Sequence, residues 1–279
     1  MVDYVYSSKE VWRAVYEELK QRGFSLKRIR SEIGCDFSHA VYQGYGIRHD
    51  SFILLKKLLG KKIEPVEYRK KKEDIRAEYT EDFAELVGII LGDGNIGRRT
   101  VQISVGTRYG ELYIEYVKRL IARVLPEVKI GEYHKSDCNA VDLKIHSASF
   151  VRQLMEDGLK IGDKKENQIS VPHWIEENEV YSLRCFRGLL DTDGSIYKNT
   201  RDGQIVVEIK NNSRPLLQFS EEFCRRIGVK MNLYDRNCAV YKKADVRRLL
   251  RRVEPRKMSF DQVSPSLSGE QLNEFLNED

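Results

Sequence analysis

An eleven-residue segment occurs twice in this chain, and the repeat constrains the fold more than any other feature. LVGIILGDGNI spans residues 86–96, FRGLLDTDGSI spans residues 186–196, and the two align without a gap. Gly88 falls on Gly188, Asp93 on Asp193 and Gly94 on Gly194, each pair 100 positions apart. The segments downstream of the two copies correspond as well. After the first come a strand VQISVG, a helix YGELYIEYVKRLIARVL, a strand pair over 128–146 and a helix SASFVRQLMEDG. After the second come QIVVEIKNN, SRPLLQFSEEFCRRIG, a strand pair over 229–241 and KADVRRLLRRV. Period-two alternation marks the strands, and apolar spacings of three and four mark the helices. Each copy reads αββαββα. The predicted fold class is therefore α+β, two pseudo-symmetric αββαββα units preceded by a small all-α domain. Thr80 and Ser182 stand where N-caps for the two motif helices are expected.

Each motif helix carries a face too apolar to stand alone. Gly88 and Gly92 lie four apart and share one face, and Gly188 and Thr192 occupy the same places in the second copy. Small residues there let two backbones approach closely. The two helices are predicted to pack about a pseudo-two-fold axis, with Gly88 and Gly188 at the interface. Asp93 and Asp193 then arrive together at two helix C-termini, which are already negative. A shared divalent cation is the simple compensation, held by carboxylates, backbone carbonyls, water and phosphate oxygens.

Charge is unevenly placed. Residues 1–77 hold 17 lysines and arginines against 11 acids, the remainder 31 against 32. A basic N-terminal block points to an anionic partner, nucleic acid before membrane. Within it, residues 1–60 read as a helical domain. Val11, Trp12, Val15, Tyr16 and Leu19 form one stripe ended by Gly23; Ser25 caps a helix ended by Gly34, and a short helix begins at Ser38. Two short helices joined by a glycine turn suit helix-turn-helix DNA binding. In that reading His39, Tyr42 and Gln43 face DNA and Arg48 touches phosphate. Residues 61–79 read as a charged linker, 80–181 and 182–260 as the two repeat units, and 261–279 as a polar acidic tail with Leu267, Leu272 and Phe275 as docking points.

Several classes are set aside. The longest apolar stretch, near Phe83–Leu91, is too short to span a bilayer, and Met1–Glu10 lacks the apolar core of a signal peptide. Five scattered cysteines without a CxxC pair suggest neither a disulfide framework nor a zinc site, so a cytoplasmic location is expected. Self-splicing is not expected, since the chain opens with Met rather than Cys or Ser and closes LNED without a His-Asn end.

LVGIILGDG and FRGLLDTDG resemble the two motifs of the LAGLIDADG homing endonucleases in their single-chain, two-motif form, over roughly residues 80–260. The resemblance implies a monomer with internal pseudo-two-fold symmetry that holds double-stranded DNA against a saddle of two four-stranded sheets. It implies metal-dependent hydrolysis of both strands beneath the paired helices, with Mg2+ or Mn2+ as two or three shared ions. The metal ligands of the family match Asp93 and Asp193, assisted by the carbonyls of Gly92 and Thr192. Asp191, which is Leu91 in the first copy, is not a ligand position and is expected to make a local hydrogen bond or salt bridge. Basic residues that steady the phosphate are expected at Lys164 or Lys165 after the first unit, Lys165 being favoured, and at Lys257 after the second.

On the strands the polar set alternates with the apolar core residues. Gln102, Ser104, Lys144, His146, Lys198, Glu208 and Lys210 are the expected DNA contacts, because long polar side chains on a β-ribbon reach base edges in the major groove. A transcription regulator on the same scaffold is the main alternative, although relatives of that kind tend to lose the catalytic acids. An RNA-splicing maturase, with intron RNA as partner, is the other.

Overall fold

The computed structural model describes residues 4–69, 75–106, 110–134, 139–162, 167–256 and 267–277. The chain divides into two compact units, Met1–Glu73 and Asp74–Asp279.

In the first unit, Ser8 accepts a hydrogen bond from the Val11 amide and starts α1, Lys9–Gln21. Ser25 does the same for Arg28 and starts α2, Leu26–Ile33, which Gly34 ends in the left-handed conformation at φ 68°. Helices α3, Ser38–Gln43, and α4, His49–Leu59, complete the bundle. Trp12 is fully buried and meets Phe37 and Phe52 edge-on at 5.8 and 6.3 Å. The unit is not wholly helical. Strands β1 (Tyr4–Tyr6), β2 (Ile47–Arg48) and β3 (Glu67–Arg69) form an antiparallel sheet in the order β2-β1-β3. Thus Glu67–Arg69, expected in a charged linker, is an edge strand paired with Tyr4–Tyr6. The apolar residues Val5 and Ile63 explain the return of the chain, since both are buried in this core. At the other end of the expected linker, Ala77 is buried in the second unit, its amide and carbonyl each bonded to the Gln153 side chain at 2.8 Å.

The second unit contains the duplicated architecture. The first copy runs α5 (Glu81–Asp93), β4 (Gly94–Ile96), β5 (Thr100–Gly106), α6 (Gly110–Val124), β6 (Ile130–His134), β7 (Ala140–His146) and α7 (Ala148–Glu156). A short helix α8, His173–Glu176, leads into the second copy: α9 (Glu179–Thr192), β8 (Gly194–Lys198), β9 (Ile205–Lys210), α10 (Arg214–Arg226), β10 (Asn232–Leu233), β11 (Asn237–Val240) and α11 (Lys243–Val253). Both copies are αββαββα. Their sheets are antiparallel with equivalent strand orders, β4-β5-β7-β6 and β8-β9-β11-β10. Registers also correspond, Gly94 pairing with Ile103 and Gly194 with Ile209. One core joins the two copies: Val101, Ile103 and Val105 point inward from β5, as do Ile205, Val207 and Ile209 from β9, with both motif helices between.

One cap differs from expectation. Thr80 caps α5 through its hydroxyl, accepting from the Phe83 amide at 3.2 Å. The cap of α9 is Asn178, which accepts from the amides of Val180 and Tyr181 at 3.0 and 3.1 Å. Ser182 lies inside the helix, fully buried, and donates to the Ile175 carbonyl at 2.8 Å. Two adequate cap residues stand four apart here, and burial of Ser182 against α8 decides between them. Residues 267–277 include a last helix, α12 (Gly269–Asn277), where Leu267, Leu272 and Phe275 are buried. The Arg247 guanidinium donates to the Phe275 carbonyl at 2.6 Å and lies over its ring.

Candidate active site

The motif helices α5 and α9 make the most extensive helix–helix contact among the described residues. Their glycines set its closeness. A Cβ added at Gly88 would fall 2.1 Å from the Cys185 carbonyl oxygen, and one at Gly188 would fall 2.4 Å from that of Glu85. Lower down, a Cβ at Gly92 would fall 1.9 Å from the Thr192 hydroxyl oxygen. The Thr192 hydroxyl itself donates to the Gly188 carbonyl at 2.8 Å. Backbone against backbone is possible here only without side chains.

Immediately after this contact come the two acids. Asp93 is exposed and closes α5; Asp193 is half-buried and caps α9. Asn211, just past β9, donates to Asp193 Oδ2 at 2.6 Å, and the Lys210 amide donates to the Asp193 carbonyl at 3.1 Å. Asn211 was not among the residues expected from the sequence; only the fold, which brings the end of β9 to the end of α9, reveals it. The donors on offer are all oxygen: two carboxylates and the adjacent backbone carbonyls of Gly92 and Thr192. Among the described residues, no group of three or more His, Cys, Asp or Glu is arranged to hold a metal ion. Two carboxylates at a water-accessible place suit a hard divalent ion such as Mg2+, which keeps several waters and binds phosphate. The residues present fit such an ion.

Asp191 has a different task. It is 1% exposed and accepts from the Arg256 amide at 3.1 Å, which ties the chain after α11 to the motif helix. Leu91 at the equivalent place is also buried, but in the hydrophobic core. Lys257 comes directly after the tethered Arg256; Lys257, Lys164 and Lys165 themselves lie outside the described residues. Nearby, burial together with the carboxylates of Asp191 and Asp93 pushes the Tyr113 phenol well above its ordinary pKa. Farther up the helix pair, the buried Glu85 accepts from the Tyr116 hydroxyl and faces Arg184 and Arg187 at 3.6 Å each, with Arg256 at 4.0 Å. Burial lowers the pKa of the Arg187 guanidinium, opposed by the Glu85 charge.

The expected DNA-contact residues other than Lys198 are found on the sheet faces opposite the core; Lys198 pairs with the core residue Ile205 and therefore lies on the core side of its sheet, at the edge. Gln102, Ser104 and Lys144 are half-buried and His146 is exposed on the first sheet; Lys198 and Lys210 are exposed on the second. The register places Gln102 beside Lys144. Glu208 is less accessible, only 8% exposed, because Asn237 and Lys210 close over its carboxylate. In the first unit, His39, Tyr42, Gln43 and Arg48 are all exposed. Arg48 also donates to the Gly34 carbonyl at 3.3 Å, and His39 meets the Tyr45 ring edge-on.

Two αββαββα copies are joined along their motif helices, with an acid at each helix end, an arrangement similar to the two-motif LAGLIDADG architecture. Residues 181–258, the second copy, match the family model described as a LAGLIDADG-like domain. Among curated proteins, the chain is similar to the tRNA-splicing ligase RtcB of Methanopyrus kandleri, 26% identical over 188 residues, covering 58% of this chain and 19% of that protein. It is also similar to the replication factor C small subunit of Methanocaldococcus jannaschii, 29% identical over 243 residues, covering 77% and 13%. The chain thus spans less than a fifth of the length of these relatives. Among solved structures, mesophilic variants of the homing endonuclease I-DmoI align with a TM-score of 0.43 at 14% identity, covering 62% of this chain and 94% of that one. I-DmoI in complex with DNA and Mn aligns with a TM-score of 0.42 at 14% identity, covering 62% and 96%.

Proposed function

We propose that this chain is a site-specific DNA endonuclease that hydrolyses a phosphodiester bond in each strand of a duplex with divalent metal. The observation that carries this reading is the pair Asp93 and Asp193, placed at equivalent ends of two helices packed at Gly92 and Thr192. Asp93, Asp193 and the carbonyls of Gly92 and Thr192 would hold two or three Mg2+ or Mn2+ ions. When bound, such ions neutralise charge on phosphate and make water a better nucleophile. The chain's own residues do the rest. Asn211 fixes the rotation of the Asp193 carboxylate. The Asp191 bond to Arg256 ties the residue that precedes Lys257 in sequence to the second motif helix. Lys257 and one of Lys164 and Lys165 would face the developing negative charge on the phosphate.

The two sheets would hold the duplex with their polar faces, as a monomer whose two copies each meet one half of the target. The relatives support a self-contained module. Two proteins with unrelated names share only 13–19% of their length with this chain. The first unit would add phosphate and base contacts through His39, Tyr42, Gln43 and Arg48. No described helix is long and apolar enough to cross a membrane. The free thiols of Cys185, Cys224 and Cys238 are buried, which suits a reducing cytoplasm.

The test is cleavage of a randomised duplex library with Mg2+, then sequencing of the cut ends. Recurrent paired cuts at one sequence are the expected result. A DNA-binding transcription regulator is the second reading, favoured by the separate helical unit that exposes Tyr42 and Gln43 on α3; it gives retained duplexes and no cuts with any divalent metal.

A further inference from the structure

The polar faces of the two sheets carry the same three-residue cluster with its hydrogen-bonding roles exchanged. Because Gly94 pairs with Ile103 and Gly194 with Ile209, Gln102 corresponds to Glu208 and Ser104 to Lys210. Across the next strand, Ser104 pairs with Asp142 and Lys210 with Asn237, so Asp142 corresponds to Asn237. In the first sheet, Gln102 Nε2 donates to Asp142 Oδ2 at 2.9 Å and the Ser104 hydroxyl donates to Oδ1 at 2.7 Å. In the second, Asn237 Nδ2 donates to Glu208 Oε1 at 2.6 Å and Lys210 Nζ sits 3.1 Å from Oε2. Each cluster is an amide and a second donor closed on one carboxylate, but the amide lies on β5 in one copy and on β11 in the other.

A carboxylate only accepts, so the nitrogen of each amide must face it, and the side-chain flip is decided. One N–H is consumed by the carboxylate. The carbonyl oxygen and the second N–H of a half-buried amide remain for a ligand. One acceptor beside one donor in a plane is the pattern that pairs with N6–H and N7 of adenine in the major groove. Neither carboxylate is suited to touch DNA, since both its oxygens are occupied and its charge repels phosphate.

We infer that Gln102 and Asn237 each read one adenine of the target duplex, and that Asp142 and Glu208 are positioning residues that fix the two amides for this purpose. The inference rests on the proposed DNA-binding role. Because the reading amide sits on different strands in the two copies, the two adenines lie at different distances from the centre of the site. The two half-sites are therefore not mirror images in these columns.

The experiment is selection of bound duplexes from a randomised library by the full chain, and then affinities for the selected site with each base substituted. The wild-type protein should enrich one adenine column in each half-site. Asp142→Asn should flatten one column and Glu208→Gln the other, each lowering the preference for adenine by roughly 5- to 150-fold while other columns persist. Gln102→Met and Asn237→Leu, which remove the amides and leave the carboxylates with Ser104 and Lys210, should erase the same two columns, and they decide the matter if a carboxylate variant melts early. Duplexes retained with both adenine columns intact in all variants would overturn this inference alone. A wild-type chain that retains no duplex overturns the DNA-binding reading itself, and this inference with it.

Discussion

The Thr192 hydroxyl oxygen occupies the place where a Cβ on Gly92 would have to be, 1.9 Å from it. Gly92 and Thr192 are thus one unit of packing, a hole and its peg, directly above the two acids. Gly92→Ala should overpack the contact and cost about 1–3 kcal/mol in urea unfolding. Combined with Thr192→Gly, the loss should be smaller than the sum of the single effects, because the two residues share the space. Gly188→Ala, which drives a Cβ onto the Glu85 carbonyl, has no side chain to yield and should not be rescued in this way.

Asp93→Asn and Asp193→Asn should each abolish cleavage while leaving duplex affinity within about tenfold, since each removes the charge that holds metal and little else. Product formation and gel-shift affinity with Ca2+ check the two halves of this statement. Cleavage by the double variant would remove these acids from the site.

Asn211→Ala should act on the metal rather than on the fold. Asp193 loses the donor that sets its rotation, so the Mg2+ concentration for half-maximal cleavage should rise roughly 10–100-fold, the range typical of outer-shell partners. The maximal rate at saturating Mg2+ should fall less. An unchanged metal dependence contradicts this role.

Glu85→Ala should destabilise the second unit by about 3–5 kcal/mol, because Arg187 would remain buried without its counter-charge. Replacing both, Glu85→Leu with Arg187→Met, should recover much of the loss. Thermal and urea melts of the three proteins are sufficient.

Deleting residues 1–72 should weaken duplex binding and lower the slope of log affinity against log salt by about 0.9 for each phosphate contact removed. The protected footprint should shorten. An unchanged slope and footprint would assign the first unit a role away from the DNA.

The duplicated fold was readable because two signals of different period coincided with a repeated motif, and the small residues at 88, 92, 188 and 192 marked one face. The features that escaped the sequence depended on distant neighbours. Glu67–Arg69 sits in a run of charges with no strand pattern, and it is a strand because Tyr4–Tyr6 offers an edge. Ser182 and Asn178 are equally good caps in isolation, and the Ile175 carbonyl chooses. Asn211, Asp142 and Asn237 gain meaning only from the fold, which places them beside partners 18, 40 and 29 positions away. Gln102 and Ser104 were visible as polar strand residues, but the carboxylate that orders them was not.

Glu85 and its arginines carry a consequence for which copy can pair with which. The acid belongs to the first copy, while Arg184, Arg187 and Arg256 all belong to the second. At the place equivalent to Glu85 the second copy has Cys185, fully buried. A dimer of two first copies would bring two acids to the seam with none of these arginines, and a dimer of two second copies would bring the arginines without the acid. Neither half supplies a complete cluster when paired with itself. The cluster is complete only where a first copy meets a second, so it favours this pairing over either matched one.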